Sequence, residues 1–181
     1  GVSRSSEARQ NATSLIPPFI NSNCPLQIAG FRRTIARMQR PVLPNFFVVG
    51  TGKAGTTSLY HYLRQHPQIY MSPVKEPCYF AWEIRVENVT PPPLRHIRRQ
   101  SRKFQARLGA GKPVGPFGWL VSEWEDYVRL FQNVESQTAI GEASVAYLWS
   151  ETASRNIASC TPNAKIIVIL RDPSERAFSQ Y

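Results

Sequence analysis

The sequence is short of the features that mark several large classes of protein. No apolar run approaches the roughly 18–20 residues a bilayer-spanning helix needs, which excludes a transmembrane helix from this stretch. Cysteine is scarce. Cys24, Cys78 and Cys160 lie far apart with no CxxC pair, too few for a disulfide scaffold and without a zinc pattern. The odd count points to reduced thiols and an intracellular setting. No internal repeat is visible. The first residue is Gly1 rather than Met and no signal-like apolar stretch follows, so a fragment or a processed start is expected. Acidic residues are outnumbered, 12 against 22 Lys and Arg, for a net charge of +10. What is there, 42% hydrophobic and 19% charged over 181 residues, suits one globular domain and argues against wholesale disorder.

The excess of positive charge is concentrated in two stretches. Residues 1–44 carry six basic groups and a single acid, Glu7; residues 88–122 carry seven basic groups and no acid. Residues 1–43 are polar and broken by Pro17-Pro18 and Cys24-Pro25, and read as an irregular basic arm ahead of a body at 44–181. Within 94–108, Leu94, Ile97, Phe104 and Leu108 form a one-sided stripe opposite a basic face, which predicts an amphipathic helix. Pro91-Pro92-Pro93 before it and the glycines from Gly109 to Gly118 after it delimit a basic insertion at about 88–118. Its basic face reads either as a solvated surface or as a dock for an anionic substrate, nucleic acid or membrane. Asn11-Ala12-Thr13 and Asn88-Val89-Thr90 fit the glycosylation acceptor pattern, which also arises by chance.

In the body, strands and helices alternate. Phe46-Phe47-Val48-Val49 is a wholly apolar run of the kind a buried parallel strand requires. Thr56, Thr57 and Ser58 open a helix that His66-Pro67 stops, and Ile69-Tyr70-Met71 follows as a second strand. Ser122-Glu123-Trp124-Glu125 has the form of a capping box before Trp124, Tyr127, Val128 and Phe131 at helical spacing. A strand is expected at 138–140, a helix capped by Ser150 through Ile157, and a buried strand at Lys165–Leu170. Asp172-Pro173-Ser174-Glu175 then starts a helix, with Asp at the N-cap and Pro in the first turn. The expectation is an α/β fold, a P-loop-like parallel sheet flanked by helices.

The chemistry concentrates in Gly50-Thr51-Gly52-Lys53-Ala54-Gly55, between the first strand and its helix. Main-chain N–H groups converge on such a turn and the helix adds its positive end, so the device binds anions. Gly50 and Gly55 stand as far apart as the glycines of a Walker A loop, yet Thr56 stands where that motif has its lysine. The loop's one lysine, Lys53, sits inside it, where a cation can neutralise charge on a leaving oxygen without a metal.

The stretch from PNFFVVGTGKAGTTSLYHYL to SPVKEPCYF, together with IIVILRDPSERAFSQY at Ile166–Tyr181, resembles the carbohydrate-type sulfotransferases that use 3′-phosphoadenosine 5′-phosphosulfate as donor. The resemblance covers about 44–80 and 119–181. It implies that Gly52, Lys53, Ala54, Gly55, Thr56, Thr57 and Ser58 hold the donor's 5′ end and that Lys53 stabilises the bridging oxygen as the sulfuryl group leaves. It implies that Glu76 is the general base for an acceptor hydroxyl, and that Arg171 and Ser179 bind the 3′-phosphate, a task that suits a guanidinium fork. No metal is implied. His61 and His66 fit the role of base less well, and Asp172 reads as a helix cap. Gly141-Glu142-Ala143-Ser144 resembles a segment on the acceptor side, although relatives often carry proline where this chain has Val145. Trp82 and Tyr79 read as core aromatics with sugar stacking as the alternative.

Family members continue well past the position of Tyr181, so the chain is expected to be C-terminally truncated and the 181 residues alone to bind donor poorly. The implied acceptor is a hydroxyl of a carbohydrate, with an anionic glycan among the candidates, and no specific nucleic acid. A P-loop kinase or NTPase, or a basic polyanion-binding protein, are the competing readings. The cytoplasm is the expected location, with the Golgi lumen as the alternative.

Overall fold

The computed structural model describes residues 41–84, 94–110, 112, 114 and 121–179. The arm expected at 1–43 falls almost wholly outside these residues, as do Asn11, Asn88, the proline run at 91–93 and most of the glycine-rich stretch after the basic helix.

Four parallel strands, β1 (Phe46–Gly50), β2 (Ile69–Met71), β3 (Ala139–Ala143) and β4 (Lys165–Ile169), form one sheet in the order β2-β3-β1-β4. The helices are α1 (Thr56–Leu63), α2 (Leu94–Gly109), α3 (Trp124–Arg129), α4 (Ala153–Cys160) and α5 (Pro173–Phe178). The expected α/β class and parallel sheet are observed.

β1 lies inside the sheet and is covered on both faces, which is why its sequence is apolar at every position rather than alternating. Phe46 and Val48 pack with Tyr60 of α1, Met71 and Ala143. Phe47 and Val49 face the larger core of Val74, Tyr79, Phe80, Tyr127, Leu130 and Phe131. Phe104 and Leu108 of α2 enter that same core, while Arg99, Arg102, Lys103 and Arg107 are exposed, so the predicted amphipathic helix docks by its apolar stripe. Tyr79 is buried and stacks on Tyr127 with ring centroids 4.6 Å apart, a core role; Trp82 is partly exposed.

Four expectations are corrected. Lys165–Ile169 is a strand, but an edge strand exposed on both faces: Ile166 is 49% exposed and Val168 50%. Among the described residues β4 pairs with β1 alone and no helix covers it, so an apolar sequence did not mean burial here. The capping box at Ser122 does not form. Helix α3 begins one residue later with Glu123 as its N-cap, and Ser122 Oγ is buried without a hydrogen-bond partner among the described residues. β3 runs past Ile140 to Ala143, taking Gly141 and Glu142 into the sheet. Asp172 caps α5 as read, accepting hydrogen bonds from the N–H groups of Ser174 and Glu175; α4 has Thr152 rather than Ser150 as its N-cap, although Ser150 Oγ accepts from Ala153 N–H at 2.9 Å.

Candidate active site

The carboxyl ends of all four strands converge on one edge of the sheet, where open α/β folds bind ligands. After β1 the chain makes the glycine turn and enters α1. Gly55 is the N-cap, at φ 98°, a left-handed conformation that glycine adopts freely and that supplies no capping side chain. The first N–H groups of α1 therefore point outward without an internal acceptor, the arrangement that receives an anion. A Cβ built on Gly52 or Gly55 meets open space, and Thr51 Oγ1 is buried without a partner among the described residues. The loop is thus an open cradle with unused hydrogen-bonding capacity. Thr56 is buried; Gly52, Lys53, Gly55, Thr57 and Ser58 are exposed and Ala54 is half-buried.

Lys53 itself sits at φ 63°, left-handed for a residue with a Cβ. Only two other non-glycine residues described here share that conformation, Glu76 at 65° and Cys78 at 54°. Each costs roughly 1–2 kcal/mol, and strain of this kind collects at functional sites.

Gly50 explains how the loop meets β4: a Cβ there would lie 2.2 Å from the carbonyl oxygen of Ile169. Thr51 N–H donates to that same oxygen at 3.1 Å. Two residues further on, Arg171 donates from its guanidinium to Lys53 O at 3.2 Å and from Nε to Glu175 at 3.3 Å. Arg171 is therefore brought directly against the loop. Ser179 follows at the C-cap of α5, half-buried, one turn closer to the helix end than a residue in mid-helix.

Glu76 is approached from β3. Its N–H donates to Ala143 O at 2.8 Å, and its Oε2 accepts from Val145 N–H at 2.9 Å. Its other oxygen pairs with Lys75, whose side chain is only 4% exposed, so the Lys75–Glu76 pair is not the solvated surface pair its sequence resembles. Among the described residues the carboxylate of Glu76 pairs with Lys75, and no ion pair or hydrogen bond joins it to Lys53. His61 and His66 are exposed on and after α1, away from these contacts.

Sequence reasoning placed Glu142 in a segment resembling the acceptor side but gave it no role of its own. It is fully buried, accepts from Tyr127 Oη at 2.6 Å and from Ser144 Oγ at 3.2 Å. Burial raises its pKa to about 7, against the lowering effect of hydrogen bonds from Tyr127, Tyr147 and Ser144 and with a further upward push from Glu76. Burial, with Glu76 and Glu142 nearby, pushes the Cys78 thiol up to about 12, so it stays a thiol. The available signal was a carboxylate in an otherwise small and apolar strand sequence, Ala139–Ala143.

A family model described as "Sulfotransferase family" matches residues 44–181. The chain is 34% identical over 139 residues to the membrane-associated sulfotransferase kil1 of Dictyostelium discoideum, covering 77% of this chain and 22% of that protein. It is 29% identical to human carbohydrate sulfotransferase 15 over 77% of this chain and 27% of that one. With mouse bifunctional heparan sulfate N-deacetylase/N-sulfotransferase 4 it shares 33% identity over 77% of this chain and 13% of the relative. The chain thus spans about a quarter or less of these relatives. A crystal structure of a sulfotransferase from Alicyclobacillus acidocaldarius superposes with a TM-score of 0.57 at 36% identity, over 77% of this chain and 49% of that one.

Proposed function

The chain belongs to the sulfotransferase family, and from that premise we propose that it moves a sulfuryl group from 3′-phosphoadenosine 5′-phosphosulfate to a hydroxyl of a carbohydrate by in-line displacement. The donor supplies an electrophilic sulfur on a phosphate leaving group. The observation that carries the reading is Arg171 seated against the carbonyl of Lys53 at the rim of an open anion cradle. Neither the kinase nor the polyanion-binding alternative finds support among the relatives.

In this reading the N–H groups and hydroxyls of Gly52 to Ser58 bind the donor's 5′ end, and Arg171 with Ser179 binds the 3′-phosphate. Lys53 offers its ammonium to the bridging oxygen, which gains negative charge as its bond to sulfur breaks. Glu76 takes the acceptor's hydroxyl proton as the new oxygen–sulfur bond forms, an effect worth roughly 10²- to 10⁴-fold. Lys75 and the Val145 N–H each occupy one lone pair of Glu76, which leaves a lone pair on each oxygen for that proton. The catalytic body corresponds to residues 44–181 and the basic insertion to about 88–118. Its exposed Arg99, Arg102, Lys103 and Arg107 suit an anionic glycan acceptor. Support for this placement comes from Val121, where the insertion returns: its N–H donates to Pro77 O at 3.0 Å, next to Glu76. No described helix is long and apolar enough to cross a membrane; a membrane-associated setting has the support of the Dictyostelium relative's name.

Calorimetry with 3′-phosphoadenosine 5′-phosphate tests the donor site, and turnover of Glu76→Gln tests the base. Binding in the wild type that is lost in Arg171→Ala, with Glu76→Gln binding normally but turning over roughly 10²-fold or more slowly, is the expected result. Undiminished binding in Arg171→Ala removes the 3′-phosphate assignment.

A further inference from the structure

We propose that Glu142 is a positioning residue for Glu76, acting through Ser144 to hold the bend at residues 76–78 against the end of β3. The inference rests on the reading of Glu76 as the base.

Glu142 touches no solvent, so it cannot meet an acceptor or a donor. Its contacts run inward and then forward along the chain. Ser144 donates its hydroxyl hydrogen to Glu142 Oε1 at 3.2 Å, which leaves the same Oγ free to accept from Cys78 N–H at 3.1 Å. Cys78 is one of the two left-handed residues of the bend, and Glu76 is the other. The next residue after Ser144, Val145, gives its N–H to Glu76 Oε2 at 2.9 Å, and the residue before it, Ala143, takes the Glu76 N–H at 2.8 Å. Three successive residues of one strand end thus grip a strained bend at three points. The middle point, Ser144, has a rotatable hydroxyl whose direction is fixed by an acceptor. Glu142 is that acceptor, and Tyr127 at 2.6 Å fixes Glu142 in turn. A bend with two left-handed residues persists only where its surroundings over-determine it, and this network does so.

The chemistry explains why a carboxylate rather than an apolar residue stands there. A buried side chain able to accept both a tyrosine and a serine hydroxyl needs two acceptor oxygens or an amide oxygen that serves both. Tyr127 donates to Oε2 and Ser144 to Oε1, so a glutamine, with one oxygen and one amide nitrogen, keeps only one of these two contacts.

The test uses Ser144→Ala and Glu142→Gln in the full chain, with Glu76→Gln as the reference. Ser144→Ala is expected to lower kcat by roughly 10- to 100-fold while the affinity for 3′-phosphoadenosine 5′-phosphate and the KM for acceptor stay within about 3-fold. Glu142→Gln is expected to lower kcat in the same direction as Ser144→Ala, by about 5- to 50-fold, and the double variant to lose less than the product of the two single losses. Amide exchange gives a readout without turnover: the Val145 N–H, which binds Glu76, is expected to exchange at least 10-fold faster in Ser144→Ala. Normal kcat in Ser144→Ala, or unchanged Val145 protection, overturns the proposal even where Glu76→Gln is inactive. If Glu76→Gln turns over normally, the base assignment fails instead, and the exchange result still decides whether Ser144 holds the bend. Should Glu142→Gln not fold, Ser144→Ala decides alone.

Discussion

Arg171 hydrogen-bonds the main-chain carbonyl of Lys53 at 3.2 Å, across 118 residues of sequence. The contact follows from strand register: Gly50 of β1 is paired with Ile169 of β4, so the residues just beyond each strand emerge side by side. The family reading assigns the two to opposite ends of one nucleotide donor, and the register brings them to the same edge of the sheet.

Arg171→Ala should abolish this bracing and the 3′-phosphate grip together. Affinity for 3′-phosphoadenosine 5′-phosphate is expected to fall about 10- to 100-fold by calorimetry, the scale of one or two charge-assisted hydrogen bonds. Because the side chain is exposed and its pair with Glu175 is a surface pair, the melting temperature should barely move. Arg171→Lys should recover only part of the affinity, since a single ammonium cannot make the fork.

Lys53→Gly separates strain from chemistry. At φ 63° the lysine is held where glycine is at ease, so stability should rise by roughly 1 kcal/mol in denaturant titration. The same change removes the cation at the leaving oxygen, and kcat should fall by about 10²- to 10³-fold. A stable variant with normal turnover would refute the catalytic role of Lys53.

Gly50→Ala should do the reverse and damage the fold. Its Cβ would lie 2.2 Å from a backbone oxygen of β4, which must move. A loss of about 1–3 kcal/mol is expected, with donor affinity falling as well because the loop and Arg171 shift apart.

Glu142 predicts a pH dependence of stability. Its folded pKa of about 7 lies above its ordinary 4.5, so the native state holds a proton that the unfolded state releases. The stabilisation is complete below about 4.5 and is lost as pH rises through about 7, a decline on the order of 1–3 kcal/mol. Glu142→Gln cannot titrate and should flatten that decline in thermal or chemical unfolding between pH 4.5 and 7.5.

The apolar side chains of β4 and α5 give a prediction of the opposite kind. Phe178 is 86% exposed and Ile166 49%. Phe178→Ser with Ile166→Thr should change the unfolding free energy of this chain by less than about 1 kcal/mol and reduce self-association in sedimentation.

Local chemistry was legible in the sequence wherever one short segment decides the outcome. Phe46–Val49 announced a strand covered on both faces, Asp172-Pro173 announced a helix start, and the glycine turn announced a left-handed entry into α1 at Gly55. What failed depended on distant partners. Nothing within Lys165–Ile169 tells that β4 has one neighbour and open faces, since burial of a strand is decided by what packs on it. Ser122 has the composition of a cap, but the neighbouring backbone starts the helix at Trp124 and leaves the hydroxyl aside. Of the site residues named from the sequence, Lys53 and Arg171 come into contact, as their strand ends allow. The support beneath Glu76 was not legible, because it comes from Ala143, Ser144 and Val145 at and just past the end of β3, 66 or more residues away in sequence.

The ladder between β1 and β4 carries a consequence for how such a protein can change. The two groups assigned to the donor are anchored to adjacent rungs, so their separation is set by interstrand spacing and is insulated from length changes elsewhere. The insertion bearing α2 rejoins the chain at Val121, whose N–H is held by Pro77, and Phe104 and Leu108 of α2 share a core with Phe47 and Val49 of β1. In the proposed reading its exposed basic face is therefore free to change charge without touching the rungs that set the donor side, whereas a change on its apolar stripe would reach them.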